Sequence, residues 1–207
     1  ASENEIKLIT SRYPDAKLAF MHPVKSRKAI ERAYFEHGVR TFSLDCEAEL
    51  EKIVAATQRA DDLTLIVRLA VNNADAVYAL SNKFGASETD AAPLLQKARG
   101  YADNLGVSFH VGSQCMNPSA FRDAMDLASR IIVKAGVIVD VVDVGGGFPS
   151  AYPGMTPPDL ELYVQVIKSA FEGMPVAMNA KLWCEPGRAM VAESSSILAR
   201  VELVKDG

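Results

Sequence analysis

The tightest constraint in this sequence is an alternation of two periodicities. Six short segments are rich in β-branched and aromatic residues and mostly apolar on both faces: 17–21 (KLAFM), 40–44 (RTFSL), 63–69 (LTLIVRL), 107–111 (VSFHV), 137–144 (VIVDVVDV) and 181–184 (KLWC). Strands covered on both sides read this way, as parallel strands do when helices pack on each face of their sheet. Helical stripes lie between them. Ser2-x-x-Glu5 is a capping box, so a helix opens the chain. Ala29, Ile30, Ala33, Tyr34 and His37 share one helical face that stops at Gly38. Leu50, Ile53, Val54 and Thr57 form the next stripe with Asp45 as its expected N-cap, and Thr89 is expected to cap a helix carrying Leu94, Leu95 and Ala98. Asn117–Pro118 reads as an N-cap and first helical residue, leading Phe121, Met125, Ala128 and Ile132 to Gly136. Asp159 opens a last stripe of Leu160, Tyr163, Val164, Ile167 and Phe171, and Ile197–Val204 reads as one further strand.

Repeated strand–helix units call for a parallel sheet with right-handed crossovers, which places the chain in the α/β class. Six such units favour most of a (β/α)8 TIM-type barrel over a doubly wound sheet, although both gather polar residues at the C-terminal ends of their strands. A complete barrel takes roughly 250 residues and eight strands. About six of eight are legible here, so the barrel is expected to be incomplete.

Composition narrows the function. The 207 residues carry a net charge of −4, and the longest basic cluster is the broken Lys25–Ser26–Arg27–Lys28. A nucleic-acid partner needs a basic face, so none is expected. The most apolar run, Val137–Val144, is cut by Asp140 and Asp143 and is too short to cross a bilayer, which argues against a membrane role. Cys46, Cys115 and Cys184 lie far apart, so neither a disulfide framework nor a metal site is expected. A reducing, cytoplasmic compartment fits this cysteine usage.

Four features carry chemistry. His110 follows a strand in FHVGSQC, where an imidazole can stack on a flat ligand or serve structurally. Gly145, Gly146 and Gly147 follow another strand, and such a triplet either turns a tight corner or turns backbone N–H groups onto an anion, most naturally a phosphate. Glu185 and Arg188 lie in CEPGR, where a carboxylate can hold a ring-nitrogen proton and a guanidinium can clamp a phosphate, or the two can simply pair. Arg68 ends an apolar strand and needs an anion at the same rim. Together these suit a phosphorylated aromatic cofactor, and pyridoxal 5'-phosphate fits best.

VSFHVGSQC, DVGGGFP and CEPGRAMVAES, with LIVRLA and NKFGAS between them, resemble the fold-type III pyridoxal-phosphate decarboxylases, closest to the ornithine and lysine enzymes. The likeness covers nearly the whole chain. It implies a barrel of the alanine racemase-like kind over 1–196, with 197–207 starting the strand toward a C-terminal β-domain. It implies that His110 stacks on the pyridine ring and that Glu185 pairs with the ring nitrogen. Ser113, Gly145, Gly146, Gly147, Gly187 and Arg188 would bind at the phosphate, while Arg68 and Glu5 would lie near the cofactor. The family's cofactor-linking lysine belongs to a first-strand motif not found in this chain, and Lys25 in MHPVKS matches a different lysine of the family. Cys115 and Cys184 are expected as buried packing residues rather than as the family's catalytic cysteine. The implied activity is decarboxylation of L-ornithine, or of ornithine and lysine, to the diamine of polyamine biosynthesis, by a homodimer acting on a small amino-acid substrate. A diaminopimelate decarboxylase and a non-catalytic homologue that acts by binding are the alternatives. On this reading the chain corresponds to barrel strands three to eight and is inactive by itself.

Overall fold

The computed structural model describes residues 2–71, 76–78 and 83–204. Ala1 of the ASENE segment, Asn82 of NKFGAS and the last three residues of 197–207 lie outside the described residues. Seven helices are described: α1 (Glu3–Arg12), α2 (Arg27–Phe35), α3 (Glu47–Ala56), α4 (Glu88–Arg99), α5 (Ser119–Ala135), α6 (Leu160–Glu172) and α7 (Arg188–Val191). The strands are β1 (Ala19–Phe20), β2 (Thr41–Leu44), β3 (Thr64–Arg68), β4 (Ala76–Tyr78), β5 (Asn104–Ser108), β6 (Ser113–Cys115), β7 (Val141–Asp143) and β8 (Lys181–Trp183).

Strand order decides between the two α/β architectures. The main sheet runs β1-β2-β3-β5-β7-β8, every pair parallel. A doubly wound sheet reverses its order at a switch point, whereas a barrel lays each strand beside the last in one rotational sense. The uninterrupted order is therefore a six-stranded arc of a TIM-type barrel. A short antiparallel pair, β4 with β6, stands apart from it. No helix among the described residues is long and apolar enough to cross a membrane.

Burial on both faces explains the apolar strands. Phe42, Ser43 and Leu44 of β2 are all buried, as are Leu65, Ile66 and Val67 of β3, although neighbours along each strand point to opposite faces. The outer layer is helical. Phe121, Met125 and Ile132 of α5 are buried on one face, each worth roughly 1.5–3 kcal/mol of transfer from water. That helix ends at Gly136, whose φ of 62° turns the chain and whose N–H closes on Ile132 O at 3.1 Å. Lys25 ties the β1–α2 connection inward: its buried Nζ lies 3.0 Å from Glu49 Oε1 and donates to the carbonyls of His22 and Ser43.

Several boundaries differ from the sequence expectation. β5 begins at Asn104 and ends at Ser108, before His110. Gly106 permits the shift, because the Ile66 side chain occupies the space of a Cβ there, 2.3 Å from its ideal position. The expected capping box of α1 is present, with Ser2 Oγ accepting from Glu5 N. Asp45 does not cap α3; it accepts from Gly85 N at 3.0 Å, and Cys46 takes the cap position without a side-chain bond. Ser87, not Thr89, caps α4. Pro118 takes the cap position of α5, while Asn117 Oδ1 accepts from Ser119 N. Residues 197–204 form no strand. A strand exists through its ladder, and without a partner among the described residues Ile197, Leu198, Val201 and Leu203 stay exposed.

Candidate active site

Register brings the site together. Arg68 pairs with Ser108, Ser108 with Asp143 and Asp143 with Trp183, so four parallel strands end on one line. Residues just past that line fall on a common rim. Met21, His22, Arg68, Ser108, Phe109, His110 and Glu185 border a cleft of about 170 Å³ there.

The glycine loop after β7 is pressed against two neighbouring strand ends. Gly145 has φ 66°, and a Cβ on it would lie 2.1 Å from Phe109 O; a Cβ on Gly146 would lie 2.7 Å from Glu185 O and 3.2 Å from His110 Nε2. No side chain fits at either position, so the loop backbone itself forms the wall beside the imidazole. Glu185 N donates to Gly145 O at 2.7 Å, which locks the β8 end to this loop.

His110 is held as a neutral ring. Its Nδ1 accepts from Gly112 N at 3.0 Å. Burial, helped by the charge of Arg68, depresses its pKa to about 4. Arg68 itself is charge-balanced across the rim by Glu185, Asp45 and Asp143, and its guanidinium lies 5.4 Å from the Phe84 ring centroid. Burial lowers its pKa and those three carboxylates oppose that shift.

Asp143 is a residue that the motif reading passed over. It is 1% exposed, and its Oδ1 accepts from Gly145 N at 2.8 Å. Burial first, then the neighbouring Glu185 carboxylate to which it hydrogen-bonds, raises its pKa to about 7. Its sequence signal was a charge inside an otherwise apolar strand, which must find partners once buried.

Arg188 and Glu185 do not pair with each other. The Arg188 guanidinium donates to Ser113 Oγ through Nε (3.3 Å) and one terminal nitrogen (3.1 Å), and to Tyr152 Oη through the other (2.8 Å). Gly187 caps the short α7 that begins with Arg188. The rim thus unites Arg68, His110, Ser113, Gly145, Gly146, Gly147, Glu185, Gly187 and Arg188. Glu5 is not among them. Its carboxylate is engaged by Ser2 N in the α1 capping box, which lowers its pKa, and it borders a separate depression shared with Phe20, His22 and Lys25. Lys25, saturated by Glu49 and two carbonyls, has no free amine to offer. Cys115 is buried as expected, but Cys184 is exposed because β8 is an edge of the sheet; partial burial and the Asp143 and Glu185 carboxylates push its thiol pKa up.

The donor set suits a flat, phosphorylated heteroaromatic group: a neutral imidazole face, a carboxylate, and a hydroxyl–guanidinium pair beside a glycine wall. Comparison with known proteins agrees. Residues 1–192 match the family described as pyridoxal-dependent decarboxylase, pyridoxal binding domain. The chain is 30% identical over 206 residues to the lysine/ornithine decarboxylase of Selenomonas ruminantium, covering 97% of this chain and 51% of that protein. It is 32% identical over 207 residues to the ornithine decarboxylase of Mus musculus, covering 97% of this chain and 44% of that protein. Among solved structures, that of an SrLDC mutant in complex with PLP superimposes with a TM-score of 0.80 at 29% identity, over 92% of this chain and 49% of that one. The chain thus spans about half the length of the relatives it matches. With motif order, strand topology and rim chemistry all in agreement, the chain belongs to the pyridoxal-dependent decarboxylases, as their pyridoxal-binding domain.

Proposed function

We propose that the protein decarboxylates a basic amino acid, L-ornithine or both L-ornithine and L-lysine, with pyridoxal 5'-phosphate as cofactor. The observation that carries this reading is the convergence of His110, Glu185 and the Ser113–Arg188 pair at aligned strand ends. When bound, the cofactor supplies an electron sink for the pair released as the α-carboxylate leaves as CO2. The residues of this chain bind and tune it. Ser113, Arg188 and the backbone of Gly145–Gly147 hold the phosphate, where a guanidinium and N–H groups can meet several oxygens at once. His110, neutral through the physiological range, covers the ring face and excludes water without adding positive charge. Glu185 holds a proton at the ring nitrogen, and Asp143 behind it, its pKa raised to about 7 by burial and by Glu185, is partly protonated near neutral pH, which reduces the negative charge facing that nitrogen. Arg68 offsets that charge from the neighbouring strand.

On the same reading, 1–196 is the barrel portion and 197–207 leads toward a β-domain, and the working protein is a homodimer. The test is Glu185→Ala in the full-length protein, assayed for CO2 release from ornithine, lysine and diaminopimelate. Turnover on ornithine or lysine is expected to fall at least a hundredfold with cofactor still bound. An unchanged rate refutes the role, and a preference for diaminopimelate refutes the substrate class.

A further inference from the structure

Arg188 shares its donors between two hydroxyls, one of which comes from a loop that the motifs do not include. Tyr152 Oη accepts from Arg188 at 2.8 Å, and the guanidinium carbon lies 5.9 Å from the Tyr152 ring centroid. A hydroxyl that accepts from a guanidinium keeps its own O–H available to donate. Ser113 stands in the same relation on the other side of the fork. Two O–H donors therefore flank one guanidinium, an arrangement suited to an oxyanion with more than one oxygen to satisfy.

The placement of Tyr152 is built into the chain. Its N–H and C=O exchange hydrogen bonds with Met155, at 3.1 and 2.9 Å, closing a tight turn. Two residues earlier the loop is clamped by Gln114, which is 3% exposed and adopts φ 57°, a strained conformation for a residue with a side chain. Gln114 Nε2 donates to Ser150 O at 2.6 Å and its Oε1 accepts from Ser150 N at 3.1 Å, so one side-chain amide satisfies both backbone groups of a loop residue. Ser150 Oγ in turn donates to Arg188 O at 3.3 Å. Gln114 follows Ser113 directly. The backbone strain that aims Gln114 inward is thereby coupled to the position of Ser113, and the clamp sets Tyr152 opposite it across Arg188.

We propose that Tyr152 is a phosphate ligand of the cofactor site, donating its hydroxyl proton to a phosphate oxygen beside Ser113 and Arg188, and that Gln114 is the positioning residue that delivers it. This rests on the cofactor reading above. The experiment uses the full-length protein stripped of cofactor and titrated, by absorbance and fluorescence, with pyridoxal phosphate and separately with pyridoxal, which lacks the phosphate. Tyr152→Phe is expected to raise the Kd for pyridoxal phosphate about tenfold, equivalent to about 1.4 kcal/mol, and to leave that for pyridoxal unchanged. Gln114→Leu is expected to produce the same phosphate-selective loss. Equal weakening of both ligands, or none, in Tyr152→Phe overturns the assignment of Tyr152. A selective loss in Tyr152→Phe but not in Gln114→Leu overturns the role of Gln114. A wild-type protein that binds neither ligand overturns the cofactor reading itself, and the Tyr152 assignment with it.

Discussion

The contributions of Asp143 and His110 to stability change in opposite directions across the same pH range, and Asp143→Asn separates them. Asp143 is buried with its pKa raised to about 7, whereas the unfolded carboxyl releases its proton near about 3.9. Its contribution to stability is full below the unfolded value and is lost as pH rises toward 7. His110 has its pKa lowered to about 4, against about 6.5 unfolded. Its contribution is present above about 6.5 and is lost as pH falls toward 4. Each slope is at most about 1.4 kcal/mol per pH unit, so between about pH 4.5 and 6.5 the two largely cancel. Asparagine at 143 imitates the protonated acid: its carbonyl can accept from Gly145 N and its NH2 can donate to Glu185. The variant loses the Asp143 slope and uncovers that of His110. Equilibrium urea unfolding of the full-length wild type and variant, at several values between pH 4.5 and 6.5, reads the difference. The variant should gain about 3 kcal/mol relative to wild type across those two units. Parallel pH profiles would refute the assignment of the buried proton to Asp143.

Two further substitutions test the packing that supports the rim. Lys25→Met leaves buried Glu49 without its one buried cation; because Lys52 also reaches Glu49, the cost should lie at the low end of the range for broken buried pairs, about 3 kcal/mol, read from the urea midpoint. Restoration by the double variant Lys25→Met/Glu49→Leu would show that the uncompensated charge, not lost volume, is responsible. Tyr163 is fully buried and donates to Cys115 O at 2.8 Å, and burial pushes its pKa up to about 12. Tyr163→Phe removes that buried hydrogen bond and should cost about 0.5–1.5 kcal/mol in thermal unfolding, with the rim residues unmoved.

The alternation of two-sided apolar segments with helical stripes was enough to reach the α/β class, because periodicity is a local property that each segment carries by itself. The capping box at Ser2 and Glu5, the stop at Gly136 and the glycine triplet were equally legible, since each depends on residues close in the chain. What the sequence left open was the choice between a barrel and a doubly wound sheet. That choice rests on strand order, a relation among segments tens of residues apart, and the pairing of β3 with β5, β5 with β7 and β7 with β8 answers it. The same pairing decided the site. His110, Glu185 and Arg68 could be picked out as residue types suited to a cofactor, but only register aligns Arg68, Ser108 and Asp143 and turns an interrupting charge into a buried acid beside Glu185. Asp45 looked like a helix cap and instead binds Gly85 N, forty residues away; Arg188 looked able to pair with Glu185 and turned to Ser113 and Tyr152. Hydrogen-bonding side chains take whichever partner the folded backbone brings within about 3 Å. Distances of that kind are set by the sheet and its loops, so sequence determined which groups were available and tertiary structure determined which of them met.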